Sequence, residues 1–281
     1  IGVWALITVL SVMNGFEKEL RERILTVASH VTVTGRDGHL KEWPVLAERL
    51  AEVDEVTGFA PYIFAQAMLA KGNATTGALV RGIVPDQERS VSKVLNNFRS
   101  GDLDEFNSGN WGVALGSELA SKLGAVTGDK ITVIAPRGRV SIAGALPRLK
   151  RFIVVAIFEL GMYEYDSTLA LIHIDDAAQL FQTQGAVSGL RLSVENIYRA
   201  PLVRSNIERK LGSEYLVSDW TREHENFFRA LQIERRVMFF ILLLIVAVAA
   251  FNIVSTLVMV VTDKQRDVAI FRTLGFSARS V

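Results

Sequence analysis

The sequence contains no cysteine. That excludes disulfides, thiolate metal sites and a lipidated Cys, and it decides nothing about compartment. No charge of one sign dominates: 31 Lys and Arg against 30 Asp and Glu leave a net charge of +1, so the footprint of a nucleic-acid binder is missing. No Walker A motif occurs, so any ATPase must be another chain. The histidines, His30, His39, His173 and His224, stand in no metal spacing, and no metal site is expected. His224, within Arg222-Glu223-His224-Glu225, reads as part of a solvated helix face. Gly116-Ser117 lacks the second flanking glycine of a nucleophile elbow. Asp175-Asp176 follows a strand pattern and opens a helix pattern, which reads as capping rather than a carboxylate pair for acid–base work. No catalytic residue is expected, and the chain is not read as an enzyme.

What the chain does have is one long apolar run. Val237 to Val261 (VMFFILLLIVAVAAFNIVSTLVMVV) is 25 residues without charge, Pro or Gly. At about 1.5 Å per residue such a helix crosses a hydrocarbon core of roughly 30 Å with some tilt. Glu234, Arg235 and Arg236 close one end; Asp263, Lys264, Arg266 and Asp267 close the other. An apolar fraction of 49% and a mean hydropathy of +0.27 fit one span plus part of another.

The partial span is residues 1–16. Ile1 to Met13 is apolar but short, and a signal-peptide core is the competing reading. The run passes through Asn14-Gly15-Phe16 into a charged helical stretch, which favours the second half of a truncated membrane helix. Both ends of the chain are therefore expected to be cut. Residues 17–235 have ordinary globular character. Val31 to Thr34 alternates as a strand, 42–53 has helical spacing, Val56 to Leu69 reads as one or two strands around Pro61, and Thr76 to Val84 as another. Next come a strand at Asn110 to Leu115 and a helix capped by Ser117 and ended by Gly124, then strands at Ile131 to Ala135, Phe152 to Phe158 and Thr168 to Ile174. Asp175 is expected to cap a helix over 176–181. A last strand, helix and strand follow at 188–194, 202–211 and 215–218. The expected class is α+β: a first subdomain from about 30–85 and 186–220, with a second, about 86–185, inserted in it. From Thr221 the pattern is helical into the span at 236–262. Val268, Phe271 and Leu274 then give 263–281 the look of a short, separate amphipathic helix, with Gly275 as stop and Ser277 as restart.

The stretches Phe251-Asn252-Ile253-Val254-Ser255-Thr256-Leu257, Asp263 to Ile270 and Arg272-Thr273-Leu274-Gly275 resemble the signature of lipoprotein-releasing permeases, LolC and LolE, within the MacB/FtsX-like superfamily. Ser11-Val12-Met13-Asn14-Gly15-Phe16 is similar to the exit of their first helix, so the resemblance spans nearly the whole chain. It implies a four-helix, multi-pass permease of the bacterial inner membrane, with a large periplasmic domain between its first two helices. It implies as partners a second permease subunit, a cytoplasmic ABC ATPase that binds the ATP and Mg, a periplasmic lipoprotein chaperone, lipoprotein cargo and membrane lipids. The permease itself needs no cofactor. In such permeases a protruding loop recruits the chaperone; the loop Pro136 to Lys150 is similar in place, although its tip departs from the pattern.

Three sets of residues are therefore candidates. Ile142, Ala143, Gly144, Ala145, Leu146, Pro147 and Arg148 form the chaperone-binding tip, set between basic groups; a plain solvated hairpin is the alternative. Arg266, Asp267, Ala269, Arg272, Thr273, Leu274 and Gly275 form a coupling helix for the ATPase; an interfacial anchor is the alternative. Ala249, Asn252 and Thr256 share one face of the span and suit helix packing, while Phe251 and Val258 lie on the bulkier side that suits lipid or cargo. A MacB-type efflux permease, an FtsX-like signalling permease and a two-span sensor remain as other functions.

Overall fold

In the computed structural model, residues 4, 7–16, 19, 29–102, 106–141, 144–223 and 225–275 are described. In chain order the elements are α1 (Ile7–Phe16), β1 (Val31–Gly35), α2 (Trp43–Ala51), β2 (Val56–Lys71), β3 (Ala74–Ile83), α3 (Pro85–Val91) and β4 (Phe98–Gly101). There follow β5 (Gly112–Gly116), α4 (Ser117–Leu123), β6 (Lys130–Ser141), β7 (Gly144–Phe158), α5 (Tyr163–Asp166), β8 (Leu169–His173) and α6 (Ile174–Phe181). The last are β9 (Gly189–Val194), α7 (Ala200–Leu211), β10 (Tyr215–Asp219), α8 (Trp220–Glu223) and α9 (Glu225–Thr273). Phe16–His224 forms one compact unit; Ile1–Gly15 with Glu225–Val281 forms another.

Among the described residues of the Phe16–His224 unit, ten strands share one mixed sheet, in the order β10-β1-β9-β2-β3-β8-β5-β7-β4. β6 pairs with both β2 and β7, so hydrogen bonding returns from β7 to β2 and six strands make a closed circuit. Strands from 31–83 and 189–219 lie at one end of the order and those from 98–173 at the other, joined where β3 runs parallel to β8 and where β6 meets β2. β8 explains its own sequence: Leu169, Ala170, Leu171 and Ile172 are all fully or nearly fully buried, as a strand covered on both faces must be. Leu169 and Leu171 join Ile83, Phe106, Val155 and Phe158 in the core.

Several local features refine the sequence reading. β2 is one strand, and Pro61 does not break it. The Tyr62 carbonyl accepts from Ser188 on the β9 side, so the nitrogen of Pro61 faces the β3 side, one residue beyond the last β3 partner, Ile83. No ladder bond is lost there. Gly124 ends α4 in the left-handed conformation at φ +58°, but the helix begins at Ser117 itself, with Gly116 at the N-cap and no side-chain capping bond. Asp175 is not the cap of α6. His173 is, and its Nδ1 accepts from the Asp175 N–H at 3.3 Å. Asp176 instead accepts from the N–H groups of Gly109 and Trp111, at 2.9 and 3.2 Å, and so ties down the entry to β5.

The other unit contains α9, a single helix of 49 residues. Its length is about 74 Å at 1.5 Å per residue, against a hydrocarbon core of roughly 30 Å. The separate helix expected over 263–281 is, as far as Thr273, a continuation of the span. No Gly or Pro interrupts 225–273, and the Lys264–Asp267 ion pair at 2.8 Å joins successive turns beyond the apolar run.

Candidate functional site

The expected loop at Pro136 to Lys150, which carries the expected tip, is not without structure. β6 and β7 pair along it from Lys130↔Ile153 to Ser141↔Gly144, which makes it a two-stranded ribbon. The register shifts between Ala135 and Arg139, opposite Pro147. Pro136 and Pro147 have no N–H to give the ladder, so a bulge falls where both sit. Gly144, Ala145 and Leu146 lie in the first residues of β7, while Ile142 and Ala143 lie outside the described residues. Pro147 is exposed, and the Arg148 guanidinium donates to the Leu180 carbonyl at 3.4 Å. Below it, Leu149 is 61% exposed, and the Lys150 ammonium stands 3.8 Å from the centre of the Trp111 ring. A cation over an indole face holds the ribbon's base against the start of β5.

The root of the ribbon is anchored from the other side. Lys71, at the end of β2, bonds the Gly124 carbonyl and the Asp129 carboxylate, and Asp129 also accepts from the Val126 N–H at 2.8 Å. The Lys71 bond, helped by the Val126 N–H, holds the Asp129 carboxyl below the usual carboxylate range. An apolar cavity of about 640 Å³ opens beside this root, lined by Met68, Leu79, Ile134, Pro136 and Pro147 among others.

Arg266, Asp267, Ala269, Arg272 and Thr273 all lie on the last turns of α9 and are exposed; Leu274 and Gly275 form the turn that ends it. Gly275 adopts φ +92°, with its N–H on the Arg272 carbonyl at 3.2 Å. The segment from 276 lies outside the described residues. Ala249, Phe251, Asn252, Thr256 and Val258 lie on the same helix, and the Thr256 hydroxyl donates to the Asn252 carbonyl at 2.8 Å. Apart from the half-buried Met238 and Leu242, the apolar side chains of the span are exposed, Phe251 at 74%, which is how a helix made for lipid or neighbouring helices presents itself.

One polar cluster was not foreseen from the sequence. Arg81 on β3 pairs across to Phe64 of β2, and Arg191 on β9 pairs with Ala60 of β2 and Thr32 of β1. Residues 60, 62 and 64 share one face of β2, so both guanidinium groups, Tyr62 and Thr32 lie on one side of the sheet. Glu88 from α3 packs over them, 1% exposed, and forms an ion pair with Arg191. Burial first, and the Arg191 charge second, bring the Arg81 guanidinium down to about 10. The signal was present as an Arg inside the apolar run Ala78-Leu79-Val80-Arg81-Gly82-Ile83.

A family model described as the MacB-like periplasmic core domain matches residues 1–209. The lipoprotein-releasing system transmembrane protein LolC of Neisseria meningitidis serogroup B is 43% identical over 282 residues, covering all of this chain and 68% of that protein. LolE of Haemophilus influenzae is 30% identical over 285 residues, covering 98% of this chain and 67% of that protein. Among solved structures, the periplasmic region of MacB from Actinobacillus actinomycetemcomitans aligns with 73% of this chain and 94% of its own, at 12% identity and a TM-score of 0.47.

Proposed function

The chain belongs to the lipoprotein-releasing system transmembrane proteins LolC and LolE, within the MacB/FtsX-like permeases, and from that premise we propose how it works in lipoprotein release. It is the permease subunit through which an ATP-driven complex extracts lipoproteins from the inner membrane and passes them to a periplasmic chaperone. ATP and Mg are bound by a separate cytoplasmic ATPase, and a second permease subunit completes the membrane part. The permease is multi-pass, with the Phe16–His224 unit in the periplasm.

The observation that carries this reading is 43% identity with a LolC protein along the whole chain, ribbon and span included. The geometry suits the division of labour. α9 has no Pro or Gly over 49 residues, so a push at Arg266, Asp267 or Arg272 moves the Asn252 region as part of one rod. The β6–β7 ribbon is paired out to Ser141↔Gly144, and Leu146, Pro147, Arg148 and Lys150 follow behind that end, where the two basic residues would steer an acidic partner.

Replacing Ser141 to Pro147 by a Gly-Gly turn tests the ribbon's role. Chaperone loading should be lost while the ATPase still assembles. A shortened variant that loads the chaperone at the normal rate would refute chaperone capture by the tip. A second reading, efflux by a MacB-type permease, is favoured by the match to the MacB-like periplasmic core. Pull-down of the intact complex separates the two: acylated proteins and a soluble chaperone in one case, an outer-membrane channel in the other.

A further inference from the structure

The cavity of about 180 Å³ over Arg81 has the makings of a ligand site outside the ribbon and the span. It lies wholly within the Phe16–His224 unit, and its wall includes Arg81, Tyr62, Tyr165, Ser29, Arg191 and Glu223. Its volume corresponds to roughly six waters at about 30 Å³ each, the scale of a small polar headgroup. The Nε and Nη1 atoms of Arg81 are buried without a hydrogen-bond partner, and Glu88 Oε2 is in the same position. Native structures rarely leave buried donors unpaired, because each costs about 1–3 kcal/mol and more when charged. Glu88 does not relieve Arg81, since it bonds Arg191. Arg81 is half-buried and lines the cavity, with those two donors unpaired just behind its wall; a guanidinium in that position is suited to a tetrahedral anion or a carboxylate.

The opposite charge at the mouth narrows the ligand. Glu223 is exposed, lines the same cavity, and precedes by two residues the start of α9 at Glu225. Placed against a plain anion, Glu223 would repel it. Placed against a group that carries phosphate and amine together, it would bind the amine while Arg81 binds the phosphate. The Tyr62 and Tyr165 rings and the Ser29 hydroxyl complete a wall suited to a short polar chain.

We propose that this cavity binds a phosphate-bearing headgroup, its phosphate on Arg81 and its amine toward Glu223, as a zwitterionic phospholipid offers. The site is independent of chaperone capture and stands or falls without it. Free phosphate shares half of that chemistry and is the alternative source of the anion.

Native mass spectrometry of the intact detergent-solubilised complex provides the test. The probes are inorganic phosphate, short-chain phosphatidylethanolamine and short-chain phosphatidylglycerol. Wild type should retain one phosphatidylethanolamine per chain, at least tenfold more strongly than phosphatidylglycerol. Arg81→Met should lower that retention at least tenfold. Glu223→Gln, at an exposed position, should leave the fold intact and remove the preference between the two lipids. Retention of inorganic phosphate in wild type and not in Arg81→Met would also support the anion site and name free phosphate as its source. No retention of any probe by wild type would overturn the proposal, as would equal retention by Arg81→Met.

Discussion

Substituting Glu88 by Met should be far more costly than its place on a seven-residue helix suggests. The carboxylate is 1% exposed, and its partner Arg191 has a side chain 4% exposed. Arg81 adds a second cation on the same side of the sheet. In Glu88→Met both guanidinium groups remain, and the buried carboxylate that pairs with Arg191 is gone. Removing one member of a buried pair costs about 3–5 kcal/mol. For a unit of this size each kcal/mol moves the midpoint by about 2–4 °C, so a fall of about 6–20 °C is expected. Differential scanning fluorimetry of the assembled complex, at one scan rate throughout, measures it. Adding Arg191→Met to Glu88→Met should restore most of the loss, because two apolar side chains then fill the space of the pair. A single variant within about 1 kcal/mol of wild type would refute the reasoning. So would a double variant no better than the single one.

His30 should make the same unit acid-sensitive. Burial holds its pKa below 6.5, with Arg191 and Lys93 acting in the same direction and the Val194 backbone bond opposing. Below 6.5 the unfolded chain takes up a proton that the folded imidazole refuses, so stability should fall as pH drops from 6.5 toward the depressed folded value. His30→Gln should flatten that limb of a midpoint-against-pH plot; an unchanged slope would assign the sensitivity to other groups. At the far end of α9, Asp267→Arg with Arg272→Glu should lower ATP-linked lipoprotein release severalfold while leaving complex assembly intact, and normal release in vesicles would leave only an anchoring role. Topology is open to labelling with an impermeant thiol reagent, since the chain has no cysteine of its own. Ser100→Cys should react in intact spheroplasts and Ser280→Cys only after lysis, and the reverse pattern would invert the orientation.

The α+β class was legible because most strands advertise themselves. Val31 to Thr34 alternates, and Leu169 to Ile172 is uniformly apolar. Less was legible where chemistry runs against pattern. α3, Pro85–Val91, is short and polar at Asp86, Gln87, Glu88 and Arg89, so no period appears, yet it supplies the carboxylate that Arg191 needs. The arms of the ribbon hold Pro136 and Pro147 and several basic residues, which imitate a loop; a bulge absorbs the prolines and pairing continues past them. The end of the span at Thr262 was inferred from charge, but charge marks where lipid stops and says nothing of where a helix stops. For that a Gly or Pro is needed, and the first after Val261 is Gly275. Of the candidate sites, the span and coupling residues stand on sequence pattern alone, whereas the Arg81 cavity required the sheet register to bring β3, β9 and β1 together.

The placing of β1 between β9 and β10 also sets a timetable for synthesis. Val31 is bonded through Thr34 to strands that begin at Gly189 and Tyr215, so both neighbours of β1 come from the far end of the domain. At about 5–20 residues per second, β1 waits roughly 10–40 s after leaving the ribosome before its second neighbour exists. Closing so long a loop is slow, and an unpaired strand edge invites pairing with other chains in the meantime. Once Asp219 has been made, only α8 and His224 precede α9. The sheet therefore cannot be completed before the ribosome reaches the membrane segment, and insertion of that helix and closure of the sheet become near-simultaneous steps in the biogenesis of the protein.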